Sequence, residues 1–101
     1  MTRIELAPEV LEDFDRIIDH LAQFKSPDAE ARIAEVLDAI QILSHSPLIG
    51  RKVKRGKREL VIGRATRGHV ALYRYVGEID VVFVLALRGQ RESGFKPKRP
   101  P

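Results

Sequence analysis

The apolar residues of this 101-residue chain change their period once. Between residues 8 and 43 they recur every three and four positions, as in helices with one buried stripe. From residue 59 to residue 87 they form runs rich in Val, Ile, Tyr and Phe, separated by turns, as in strands. A chain that gives its first half to helices and its second to strands is committed to an α+β architecture, with helices laid on a mainly antiparallel sheet.

The elements can be placed one by one. Residues 2–6 alternate, Ile4 and Leu6 against Arg3 and Glu5, and predict a short strand that Ala7-Pro8 breaks. Val10, Leu11, Phe14, Ile17, Ile18, Leu21 and Phe24 then form the stripe of a first helix. Pro8 suits its first turn, where Glu9, Glu12 and Asp13 match the helix dipole. Ser26-Pro27-Asp28 supplies an N-cap, a proline and an acid for a second helix with the stripe Ala29, Ile33, Val36, Leu37, Ile40 and Leu43, ended by Pro47 and Gly50. So short a connection forces an antiparallel helical hairpin whose stripes share one surface. After a basic loop at residues 50–58, strands are expected at 59–64, 69–76 and 79–87. Gly77-Glu78 reads as a two-residue type II′ turn, and the unbroken apolar run 81–87 as a central strand buried on both faces. The expected order is β-α-α-β-β-β in one domain over residues 1–95, followed by a basic, proline-rich tail at 96–101.

Charge divides the chain at the same place as the period. Residues 1–46 hold four bases against ten acids, and residues 47–101 fourteen bases against four acids. Such a split predicts a basic face for a polyanion or for an acidic partner. Cysteine is absent, which removes disulfides and thiolate metal sites and fits a reducing cytosol. Residues 1–5 do not read as a signal peptide, and no apolar run approaches the roughly 20 residues of a membrane-spanning helix, so a soluble, intracellular protein is expected.

Strong enzyme motifs are missing: no phosphate-binding glycine loop, no nucleophile elbow, no His-Glu-x-x-His. His20, His45 and His69 lack metal-ligand spacing, so neither metal nor cofactor is expected. The informative positions are the bases. Arg51, Lys52, Lys54, Arg55, Lys57 and Arg58 form the loop, and Arg64, Arg67, Arg74, Arg88, Arg91, Lys96, Lys98 and Arg99 follow. Tyr73 and Tyr75 are placed to stack on bases or, as alternating strand tyrosines more often do, to pack across the sheet.

Arg58-Glu59-Leu60, then Gly68-His69-Val70-Ala71-Leu72-Tyr73-Arg74-Tyr75, then the run from Val82 to Arg88 closing in Gly89-Gln90-Arg91-Glu92-Ser93-Gly94-Phe95, resemble in order the RelE/ParE toxins. The resemblance covers nearly the whole chain. It implies a toxin encoded with an antitoxin whose acidic, partly disordered carboxyl-terminal segment wraps the toxin and folds as it binds. RelE-type members cut messenger RNA on the ribosome. They commonly carry two lysines on the strand after the loop, an arginine after the glycine turn and an aromatic acid-base residue near the end. This chain has Val61, Gly63, Val70 and Phe95 there, and only Arg91 is a fair match. Phenylalanine cannot transfer a proton. ParE-type members lack that constellation and inhibit DNA gyrase, trapping it on cleaved DNA, and a hairpin about two turns longer than a minimal RelE hairpin leans the same way. The resemblance therefore implies a gyrase-inhibiting binder rather than an enzyme. The alternatives are a ribosome-dependent messenger RNA endonuclease and a non-toxic nucleic-acid-binding module. Arg64, Arg67, Arg74, Arg88, Arg91 and Phe95 are the target-binding candidates beside the basic loop.

Overall fold

The computed structural model describes residues 1–23, 29–63 and 68–89. Phe24, the Ser26-Pro27-Asp28 helix start, Arg64, Arg67, Arg91, Phe95 and the tail lie outside them. The order is β1 (Arg3–Leu6), α1 (Pro8–Gln23), α2 (Ala29–Ile42), β2 (Arg51–Lys52), β3 (Arg58–Ile62), β4 (His69–Val76) and β5 (Val81–Gly89). The strands form one five-stranded sheet in the order β1-β5-β4-β3-β2. β1 runs parallel to β5, with Arg3 opposite Val81 and Leu6 opposite Val84, and every other pair is antiparallel.

Both helices cover one face of this sheet. Val10, Ile17 and Leu21 of α1 and Val36 and Ile40 of α2, with Leu43, are buried against Ile62, Ala71, Tyr73, Val82, Val84 and Leu87. Full burial of each large apolar side chain stabilises by about 1.5–3 kcal/mol, so this layer supplies most of the drive to fold. The stripes read from spacing are wider than the strip two helices can bury on one sheet. Leu11, Ile18 and Leu37 fall about 100° from the buried line and remain 58, 40 and 49 % exposed. Leu6, at the end of β1, is exposed as well.

Three expectations about the strands are corrected. The connection from β4 to β5 is not a two-residue turn, because Val76 pairs with Val81 and residues 77–80 form a four-residue loop. Ile79 N–H donates to Val76 O at 3.3 Å and Asp80 N–H to Gly77 O at 3.2 Å. The positive φ falls on Asp80 (φ 55°) rather than on Gly77. Its carboxylate Oδ1 accepts from Thr2 Oγ1 (2.7 Å) and from the Tyr75 hydroxyl (2.8 Å), which holds an aspartate where glycine is usual. The β5 run is central but not buried on both faces: Val82, Val84 and Leu87 point into the core, whereas Phe83 and Leu85 are only half-buried. Leu85 is the extra residue of a bulge, since Leu72 pairs with Ala86 and Tyr73 with Val84. Finally, the basic segment is not a loop, because Arg51–Lys52 is a fifth strand paired with β3.

Beyond Val84, where Ala7 N–H caps the β1 pairing at 2.9 Å, β5 has no neighbour strand on that side among the described residues. Helix α1 closes the gap. Leu87 N–H donates to Asp13 Oδ2 and Arg16 Nη2 donates to Leu87 O, each at 2.9 Å. An edge that would otherwise invite another strand is thereby occupied.

Candidate target-binding surface

Side chains paired across a sheet share a face. The row Arg58, Tyr73, Val84 and the row Leu60, Ala71, Leu87 point toward the helices. The opposite face is built from Arg51, Glu59, Leu72 and Ala86, then Val61, Val70 and Arg88, then Arg74, Phe83 and Glu5. Its middle is apolar, with Val61 57 % exposed, Leu72 and Phe83 half-buried and Val70 buried. Its rim is charged. Arg51 Nη2 meets Glu59 Oε1 at 2.7 Å, Arg3 Nε meets Glu5 Oε2 at 3.1 Å, and Arg74 and Arg88 complete the border.

At one end of this face stands a hairpin made by β2 and β3. Lys52 pairs with Arg58, Val53 N–H donates to Lys57 O at 2.9 Å, and Lys57 N–H donates to Lys54 O at 3.3 Å. The two residues at the turn, Arg55 (φ 62°, ψ 38°) and Gly56 (φ 72°), both have positive φ, which is the type I′ turn that suits the twist of a two-stranded ribbon. Arg74 Nη2 donates to Arg55 O at 2.8 Å and ties the tip to β4. Arg51, Lys52, Val53, Lys54, Arg55, Lys57, Glu59 and Leu72 line an open depression of about 560 Å³ along this ribbon.

The six bases read as one loop have different employments. Arg58 points inward, where its Nη1 donates to Leu48 O (3.0 Å) and Gly50 O (2.8 Å). It is a structural strut. Arg51 is paired with Glu59, while Lys52, Lys54 and Arg55 are exposed and Lys57 half-buried. Arg74 is exposed on the outer face, and Arg88, half-buried, lies near the end of β5 with Nη1 at 3.3 Å from Gly89 O. Arg64, Arg67, Arg91 and Phe95 fall outside the described residues.

Both tyrosines serve packing. Tyr73 is fully buried and its hydroxyl accepts from Gly50 N–H at 2.8 Å. Burial pushes this phenol up, against the opposing pull of the Gly50 hydrogen bond and the Arg58 charge. Tyr75 is also raised, chiefly by donating to Asp80, whose carboxyl is held below its ordinary value by the Thr2 and Tyr75 hydrogen bonds. His20 and His45 are exposed, at the ends of α1 and α2, and His69 is buried at the start of β4. Among the described residues no three His, Cys, Asp or Glu side chains come together as metal ligands do, and no helix is long and apolar enough to cross a membrane.

The sequence reading missed the Gly50–Tyr73 contact, the Asp13–Leu87–Arg16 clamp and the exposure of Leu11, Ile18 and Leu37. Only the last had a signal: apolar positions too far round each helix to share one buried line.

Residues 4–94 match the family model described as the ParE toxin of the type II toxin-antitoxin system parDE. No curated protein matches the sequence. Among solved structures, a chain of the chromosomal ParDE toxin-antitoxin system of P. aeruginosa superimposes with a TM-score of 0.72 at 20 % identity, covering 88 % of this chain and 96 % of that one. A chain of the RelBE2 toxin-antitoxin complex of Mycobacterium tuberculosis gives 0.55 at 22 % identity over 88 % and 98 %. One of the intact E. coli RelBE complex gives 0.54 at 17 % over 92 % and 100 %.

Proposed function

Because the chain belongs to the ParE toxins of type II toxin-antitoxin systems, with a match that runs over residues 4–94, we propose that it inhibits DNA gyrase and is silenced by a cognate antitoxin. The observation that carries the target is the make-up of the outer sheet face. Where an RNA-cleaving site would need cations and a proton-transfer group, the Val61–Val70–Arg88 row holds an exposed valine, a buried valine and a half-buried arginine, beside the half-buried Leu72 and Phe83. Arginine stays protonated at working pH and is a poor general acid or base. Glu59, the carboxylate on that part of the face, is engaged by Arg51. An apolar centre with a charged border is a surface for binding a partner rather than for moving protons. The toxin domain spans residues 1–95, Arg64, Arg67, Arg74, Arg88, Arg91 and Phe95 contribute to target binding, and the protein acts in the cytoplasm.

The antitoxin is an acidic, partly disordered segment that folds as it binds. The sheet offers it the outer edge of β1, and the helices offer Leu11, Ile18 and Leu37 to an amphipathic helix. Apolar burial makes the complex resist salt, while its association rate falls as salt screens the basic half. Expression without antitoxin tests the target. Chromosomal breaks and relaxed plasmids are expected, and transcripts cut at ribosomal A-site codons in cells with intact DNA would overturn the reading.

A further inference from the structure

The β2–β3 hairpin carries more positive charge than the fold uses. Arg58 is absorbed by the Leu48 and Gly50 carbonyls and Arg51 by Glu59, but Lys52, Lys54, Arg55 and Lys57 carry no ion pair among the described residues. These four crowd round a tip only a few residues long, where like charges repel unless a polyanion meets them. The tip is also stiff. Its type I′ turn is closed by the Lys57–Lys54 and Val53–Lys57 backbone bonds, and Arg74 anchors it to β4.

We propose that this hairpin binds the phosphate backbone of duplex DNA, without sequence preference. A two-stranded ribbon has the width that the major groove admits, and lysines at its tip are suited to neutralise flanking phosphates. The composition of the tip decides against other partners. Protein interfaces centre on buried aromatic or large apolar anchors, and the tip offers only Val53. Single-stranded RNA is held by stacking its bases on aromatic rings. The tip itself carries no ring, Tyr73 is sealed in the core, and Phe83, opposite Arg74 on the outer face, is half-buried. The inference deepens the gyrase reading, on which its biological setting rests, by giving the toxin its own hold on the DNA that gyrase grips.

Fluorescence anisotropy of the full chain on a labelled duplex of about 20 base pairs and arbitrary sequence, from about 50 to 200 mM KCl, tests this at the salt range where counterion release is visible. Wild type should bind with a log–log salt slope. Lys52→Gln/Lys54→Gln/Lys57→Gln should bind on the order of 10- to 100-fold more weakly at 100 mM, with the slope reduced by about 2 to 3. Its melting temperature should stay near wild type, since Lys52 and Lys54 are exposed and glutamine keeps most of the aliphatic stem of the half-buried Lys57. An unchanged slope in the triple variant, no duplex binding at the lowest salt, or tighter binding to single-stranded RNA of equal length would each overturn the proposal. A parallel supercoiling assay separates the two readings. Duplex binding with gyrase untouched removes the target and leaves the hairpin, and inhibition without duplex binding does the reverse.

Discussion

The two sides of the β2–β3 hairpin carry the same kinds of residue in opposite employment. On the inner side Arg58 reaches two backbone carbonyls, and Gly50 packs so closely that an added Cβ would lie 2.7 Å from Tyr73 Cε1 and 2.8 Å from Glu59 O. On the outer side and at the tip, Arg51 lies along the surface and Lys54 and Arg55 stand in solvent. Basic residues close in sequence are thus divided by the two strands and turn of the hairpin into a joint that holds it against the core and a surface that is left for a partner. Charge counted along the sequence cannot see this division.

Changes on the inner side should unfold the protein and changes on the outer side should not. The largest effect is expected for Tyr73→Ala, which removes a fully buried ring and should cost about 3–5 kcal/mol. Ile40→Ala, from the helix side of the same core, should cost about 2–5 kcal/mol, and Phe14→Ala less, because Phe14 is only partly buried. Gly50→Ala should lose about 1–3 kcal/mol through overpacking. Each can be read from thermal melts, in which 1 kcal/mol moves the midpoint by roughly 4–8 °C in a domain of this size. Melts that stay put for Tyr73→Ala or Gly50→Ala would erase the difference between the two sides.

A subtler effect is expected at the joint between the amino terminus and the β4–β5 loop. Asp80 is held below its ordinary carboxyl value of 3.8 by two hydroxyl donors. A depressed carboxyl adds stability that is present above its unfolded value and is lost as pH falls through its folded value. Wild type should therefore lose melting temperature on acidification below about pH 4, and Asp80→Asn should lose less of it over the same interval. Parallel acid slopes in the two proteins would show that the Thr2–Asp80–Tyr75 cluster contributes nothing. Arg88→Glu/Arg91→Glu is read on function: antitoxin association should slow and toxicity should fall together. Toxicity lost with association unchanged would mean that target and antitoxin use separate surfaces.

Element order was legible in the sequence because period is a property of local spacing. β1, α1, α2, β3, β4 and β5 all stand where alternation or three-and-four spacing puts them, within two residues at each end that the structure describes. What failed depended on tertiary partners. β2 left no trace because Val53 is the sole apolar residue between Arg51 and Arg58, and Arg55-Gly56 lacks the Asn or Asp that usually announces a type I′ turn. The Gly77 turn was misread because Thr2, from the far end of the chain, helps hold Asp80 in the conformation that a glycine was expected to supply. On the candidate surface, composition showed that positive charge was concentrated in the second half, but only the register assigns Arg58 to the core side and Arg74 and Arg88 to the outer face.

Purified gyrase gives the most direct test of what that outer face does. With the toxin in molar excess over gyrase, supercoiling should cease and cleaved DNA should accumulate in proportion to toxin added. Gyrase that keeps supercoiling at toxin excess, while the same preparation cuts messenger RNA in ribosomal A sites, would contradict the account.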